Sequence, residues 1–253
     1  MISVWDGSII QLDKLEFGGH MKKYETPNYI FHYNENSKAE QDIAQIAKCQ
    51  ELCLEHICNV LKITPSFRIE YILCDSPDEV GRIYGDYEPC SGFASPPNTI
   101  YAVYNEELQC IGFHEDSHIV SYLINTPDCS AIREGLAMYF DKKWWGIQNL
   151  DWTGYFLDEN RFIAIDRLLD NEVFSLVDCS ISYPIMGAFT EWLISAYGIE
   201  KYIEFYKGKD FIRAFECVYN KTPKELNQIF MEYVSLLGID EVLRKRMGDL
   251  LGE

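Results

Sequence analysis

The chain has 253 residues, 47% hydrophobic and 25% charged, the balance of a globular protein with room for one large domain or two small ones. Its formal net charge of −18 argues against nucleic acid and anionic membrane surfaces as partners. No run of about eighteen apolar residues occurs, so no membrane-spanning helix is expected.

Met1–Asp6 carries neither the basic nor the apolar region of a secretory signal. The nine cysteines are scattered without a Cys-x-x-Cys pair and read as reduced thiols. A cytoplasmic location is therefore expected. Residues 1–26 mix Gly, Asp and Lys with short apolar pieces and read as a short strand or an irregular arm, with His20 exposed. Tyr29–Tyr33 is aromatic and β-branched, a strand, followed by a turn at Asn34–Asn36. Ser37 and Glu40 have capping-box spacing. The helix they open carries Ile43, Ile46, Ala47, Cys53, Ile57, Val60 and Leu61 as one apolar stripe. Cys49, Cys53, His56 and Cys58 lie on this helix; small apolar packing residues account for them, with a second metal site as the alternative. Phe67–Leu73 alternates as a second strand. Ser76-Pro77-Asp78-Glu79 is another capping box, opening a short helix to about Tyr84. Residues 85–98 read as a loop and Asn98–Tyr104 as a strand.

Next comes His114-Glu115-Asp116-Ser117-His118, a His-Glu-x-x-His pattern. Asn105 is the expected cap of its helix, running to about Ile124. Four residues apart, His114 and His118 share one helix face and can bind one Zn²⁺, beside which Glu115 can take a proton from a zinc-bound water. Such a site needs a third protein ligand and an open position. Thr126, Pro127 and Asp128 break the chain, and a second helix over residues 130–144 can return Glu134 to the metal. Glu134 lies among Ile132, Leu136, Ala137 and Phe140, where a carboxylate needs a partner.

A mixed connection over residues 147–182, with a short helix near Arg161–Leu169, follows. Ser182-Tyr183-Pro184 reads as a helix start that ends at Gly198. Helices are expected over Ile199–Tyr206, Lys209–Tyr219, from a third capping box at Thr222-Pro223-Lys224-Glu225, and over about Asp240–Leu250. The layout is α+β: a small mixed sheet, a two-helix zinc motif and a helical C-terminal half. Residues 1–26 form the arm, 27–146 the sheet with the motif, and 147–253 a helical subdomain of the same catalytic unit.

His114-Glu115-x-x-His118 followed by Glu134-Gly135-x-Ala137-x-Tyr139 resembles the gluzincin metallopeptidases, which include thermolysin-like, aminopeptidase-N-like and peptidase MA-like domains. Tyr183-Pro184-x-x-Gly187-Ala188-Phe189 with Trp192-Leu193 and Tyr197-Gly198 extends the likeness over roughly residues 25–236. The resemblance implies a zincin-like fold and zinc-dependent hydrolysis of a peptide substrate. It also implies that Asn98–Tyr104 is a sheet edge where an extended peptide adds as a strand, an ordinary sheet strand being the other reading. Tyr183 is then a second oxyanion donor, with Tyr139 in reserve. Where aminopeptidase-N-like enzymes carry Gly-x-Met-Glu-Asn, this chain has Ser91-Gly92-Phe93-Ala94-Ser95, which favours an endopeptidase over an aminopeptidase. The rival is a zinc-binding but catalytically idle interaction protein; a metal-free helical binding module is the other.

Overall fold

The structure is a computed structural model that describes residues 21–252; the reading of residues 1–20, His20 included, lies outside them. Two compact units divide the chain at Leu123 and Ile124. The fold is α+β, with the sheet early in the chain and helices dominant afterwards.

The first unit is built on a five-stranded mixed sheet. In chain order its elements are β1 (Lys22–Glu25), β2 (Tyr29–Tyr33), α1 (Lys38–Leu61), β3 (Ile69–Cys74), α2 (Pro77–Tyr84), β4 (Gly92–Ser95), β5 (Thr99–Val103) and α3 (His114–Ser121). The strand order is β1-β2-β3-β5-β4. β2, β3 and β5 run parallel, and β1 and β4 pair antiparallel on the two edges. Parallel neighbours need crossovers of a dozen or so residues; α1 supplies the first, and α2 with β4 the second. Tyr29, Phe31, Ile69, Tyr71, Ile100 and Ala102 are buried, giving the sheet an aromatic and aliphatic core. The stripe on α1 buries Ile46, Ala47, Cys53, Ile57 and Leu61 as expected, together with one polar residue, Gln50.

The N-terminal segment does hold a short strand, β1, one of its two expected forms. Several expectations are corrected. Residues 85–98 hold β4, so the sheet ends there and β5 lies inside it, hydrogen-bonded on both sides. Gly92 tolerates no side chain in this strand, because a Cβ would sit 2.9 Å from the Tyr101 carbonyl oxygen. The metal-motif helix does not start at Asn105. The Asn105 Oδ1 accepts from the N–H groups of Glu107 and Leu108, closing a local turn, and Tyr104 bridges Gln109. The helix begins only at His114.

The second unit holds α4 (Ser130–Asp141), a two-stranded hairpin of β6 (Lys143–Trp144) and β7 (Ile147–Gln148), then α5 (Asn149–Asp158), α6 (Ile165–Leu168), α7 (Asn171–Leu176), α8 (Cys179–Tyr197), α9 (Ile199–Tyr206), α10 (Phe211–Tyr219), α11 (Pro223–Ser235) and α12 (Glu241–Leu251). α4 ends before the expected Trp144: Lys142 turns left-handed at φ 65° and the chain enters the hairpin. The connection over 147–182 contains three helices rather than one. α8 starts earlier than its proline suggests, because Asp178 caps it by accepting from the Ser180 N–H at 2.8 Å. Pro184 therefore lies inside the helix. α8 is the hub, packing along α4 and α5. Gly187 permits this approach: a Cβ there would sit 2.5 Å from Asn149 Nδ2 and 2.6 Å from Met138 Cβ. Among the described residues, no helix is long and apolar enough to cross a membrane.

Candidate metal centre

Within the first unit, the helix carrying the histidines packs on α1, β4 and β5. His114 is its first residue and half-buried, Glu115 is half-buried, and His118 is 5% exposed. The two imidazole rings lie 5.1 Å apart, one turn above the other, as i and i+4 positions dictate. Ser117 Oγ donates to the His114 carbonyl at 2.7 Å, which helps a first turn that has no side-chain cap on Phe113.

Asp116, between them, is fully buried. Its Oδ2 accepts from Tyr29 Oη at 2.5 Å and from Gln50 Nε2 at 2.9 Å. Gln50 also grips the backbone just ahead of the helix: Gly112 N–H donates to its Oε1 at 2.8 Å, and its Nε2 donates to the Gly112 carbonyl at 3.0 Å. Gly112 stands at φ 131°, a conformation that favours glycine. Burial pushes the Asp116 carboxyl well above the usual carboxylate range, and the charge of Glu115 adds to this, while the bonds from Tyr29 and Gln50 oppose it. The Glu115 charge also lifts the thiol of Cys110, which burial foremost pushes up to about 11.

Within the second unit, Glu134 sits half-buried on α4, one residue before Gly135. A Cβ on Gly135 would lie 2.7 Å from Thr190 Oγ1 and 3.1 Å from the Met186 carbonyl of α8. The glycine after Glu134 thus serves close helix packing. Tyr183, on the second turn of α8, has its ring stacked on Phe174 at 6.0 Å and set edge-on to Trp144 at 5.8 Å. Tyr139 lies under the Lys142 ammonium, 3.7 Å from the ring centre, and burial raises its phenol.

His114, His118 and Glu134 each offer one ligand atom, and these atoms lie within 4.8 Å of one another. Two imidazole nitrogens and one carboxylate are a donor set suited to zinc and short of the all-oxygen shells of calcium or magnesium. Among the described residues this is the one such group. Cys49, Cys53, His56 and Cys58 form none, since Cys53 points into the core and His56 outward. Nothing in the sequence marks Gln50, Tyr29 and Asp116 as partners of one another; the one signal is a polar residue, Gln50, inside an apolar helical stripe.

No protein-family model matches the chain, and no curated protein gives a significant match. Among solved structures, the chain is similar to the crystal structure of an aminopeptidase N family protein from Idiomarina loihiensis, with 8% identity and a TM-score of 0.37. The alignment covers 85% of this chain and 41% of that one, so the chain spans less than half the length of its structural neighbour.

Proposed function

We propose that the protein is a zinc-dependent metallopeptidase of the gluzincin type. The observation that carries this reading is the gathering of His114, His118 and Glu134 within ligand distance of one another, with Glu115 beside the first ligand. Bound there, zinc supplies Lewis acidity toward a carbonyl and makes its water acidic enough to react near neutral pH. Glu115 takes up the proton released by the attacking water and hands it to the departing amine. Tyr183 is proposed to donate its phenol hydrogen to the developing oxyanion.

The edge strand supports a peptide substrate. Val103 N–H donates to the Ser91 carbonyl, so the pairing alternates and Gly92 and Ala94 turn their backbone groups away from β5. β4 packs on the metal-motif helix within the same unit. An extended peptide can add there by main-chain hydrogen bonds, which hold any sequence. The strand Gly92-Phe93-Ala94-Ser95 has no glutamate to hold a free N-terminus, which favours endopeptidase action. The second reading is a zinc-binding, catalytically idle interaction protein of the same fold.

Elemental analysis of purified protein and a panel of unstructured peptides, each with and without chelator, test the proposal. One zinc per chain and chelator-sensitive internal cleavage are expected. Zinc without cleavage of any peptide favours the idle protein, and absence of zinc overturns both. Glu134→Ala should weaken zinc binding strongly, measured by competition with a chromogenic chelator.

A further inference from the structure

The first proposed ligand and the proposed proton acceptor occupy the first two positions of a short helix. Helix starts leave N–H groups unbonded and fray readily, and Phe113 gives no side-chain cap. Successive helical residues rotate by about 100°, so Asp116 points roughly opposite to His114. The structure ties down that opposite face. Gln50 on α1 bonds both backbone groups of Gly112, before the helix, and the Oδ2 of Asp116, inside it. Tyr29 on β2 bonds the same oxygen. Tyr29, Gln50 and Asp116 are all fully buried. His114 and Glu115 lie between the two anchored points.

We propose that Tyr29, Gln50 and Asp116 form a positioning bracket that sets the orientation of His114 and Glu115 for metal binding. This rests on the zinc reading above. The three residues touch neither metal nor substrate; they act by fixing the turn that carries both groups. A polar bracket is directional where apolar packing is not, because each hydrogen bond weakens steeply as its angle departs from linear. Partners behind metal ligands commonly govern affinity by about 10–100-fold.

The test compares wild type with Tyr29→Phe, which keeps the ring and removes one oxygen, with Gln50→Met, which keeps the volume and removes the amide, and with the conservative Asp116→Asn. Zinc affinity, the ligand-field spectrum of the cobalt-substituted protein, melting temperature and amide exchange over residues 112–118 of the metal-free protein are read on each. Tyr29→Phe and Gln50→Met should each weaken zinc about 10–100-fold, alter the cobalt spectrum and speed exchange, while Asp116→Asn, which keeps an acceptor oxygen, stays near wild type. Unchanged zinc affinity and cobalt spectrum in both disruptive variants, whatever their melting temperatures, would overturn the bracket. If Gln50→Met does not fold, Tyr29→Phe decides alone. A wild-type chain that takes up no zinc sinks the peptidase reading instead; the exchange measurement then judges the bracket, and no acceleration in the variants overturns it.

Discussion

Glu115 and Asp116 are adjacent carboxylates with opposite surroundings. Glu115 is half-exposed beside the proposed ligands, whereas Asp116 is sealed among Tyr29, Gln50 and Gly112. The difference follows from the turn of the helix, which places neighbouring residues about 100° apart. Substituting Glu115→Gln removes the proton acceptor and keeps the shape. The variant should retain zinc by elemental analysis while peptide turnover falls by about 100-fold or more. Turnover left intact would remove Glu115 from the mechanism. The spacing of His114, Glu115 and His118 is legible in the sequence because it is a property of a single helix, whereas Glu134 stands on a second helix beyond the break at Thr126, Pro127 and Asp128, and its role remains a proposal. The role of Asp116 is not legible in the sequence, because its partners lie 87 and 66 residues away in the chain. Nothing local marks a carboxylate that will be buried.

At the scale of elements, local signals were reliable where local bonds decide. Thr222 and Glu225 make the full reciprocal capping box at the start of α11. Ser37 and Ser76 each accept from the expected N–H, but Glu40 and Glu79 reach one residue further back, to Asn36 and Asp75. Thr222→Ala should therefore cost about 1 kcal/mol in urea unfolding. Signals failed where a distant partner intervened. The helix expected from Asn105 is broken up by its own side-chain turn and by the grip of Gln50 on Gly112. Close helix packing is equally non-local. Gly187 touches Met138 and Asn149, and a methyl group there overlaps both. Gly187→Ala should destabilise the second unit by about 1–3 kcal/mol, as overpacked cores do. A denaturation midpoint equal to wild type would show that α8 can shift without cost.

At the scale of the whole molecule, the aromatic content sets a response to alkali. Of seventeen tyrosines, Tyr29, Tyr71, Tyr202 and Tyr219 have phenols pushed up chiefly by burial. Burial, with a bond to Asp42, brings Tyr104 up to about 12. A folded pKa above the unfolded value of about 10 means that the native state keeps protons the unfolded chain gives up. The stabilising contribution is then fully present below about pH 10 and is lost as pH rises through the folded values. Absorbance titration should show some tyrosines ionising first and the buried ones together, coincident with loss of far-ultraviolet circular dichroism. Gradual ionisation of every tyrosine with the secondary structure intact would contradict the assigned burial.

By itself the sequence determined the α+β class, most helices and strands, and the placing of His114 and His118 one turn apart on a helix. Each of these is written in short periodic patterns, which hydrogen bonding and the burial of one face enforce wherever the chain runs. Tertiary structure alone decided that β4 is an edge of the sheet, that the metal-motif helix is eight residues long, and that Tyr29 and Gln50 stand behind it. Those outcomes depend on pairings between remote segments, and the free energy of a buried hydrogen bond or a close glycine contact belongs to both partners at once.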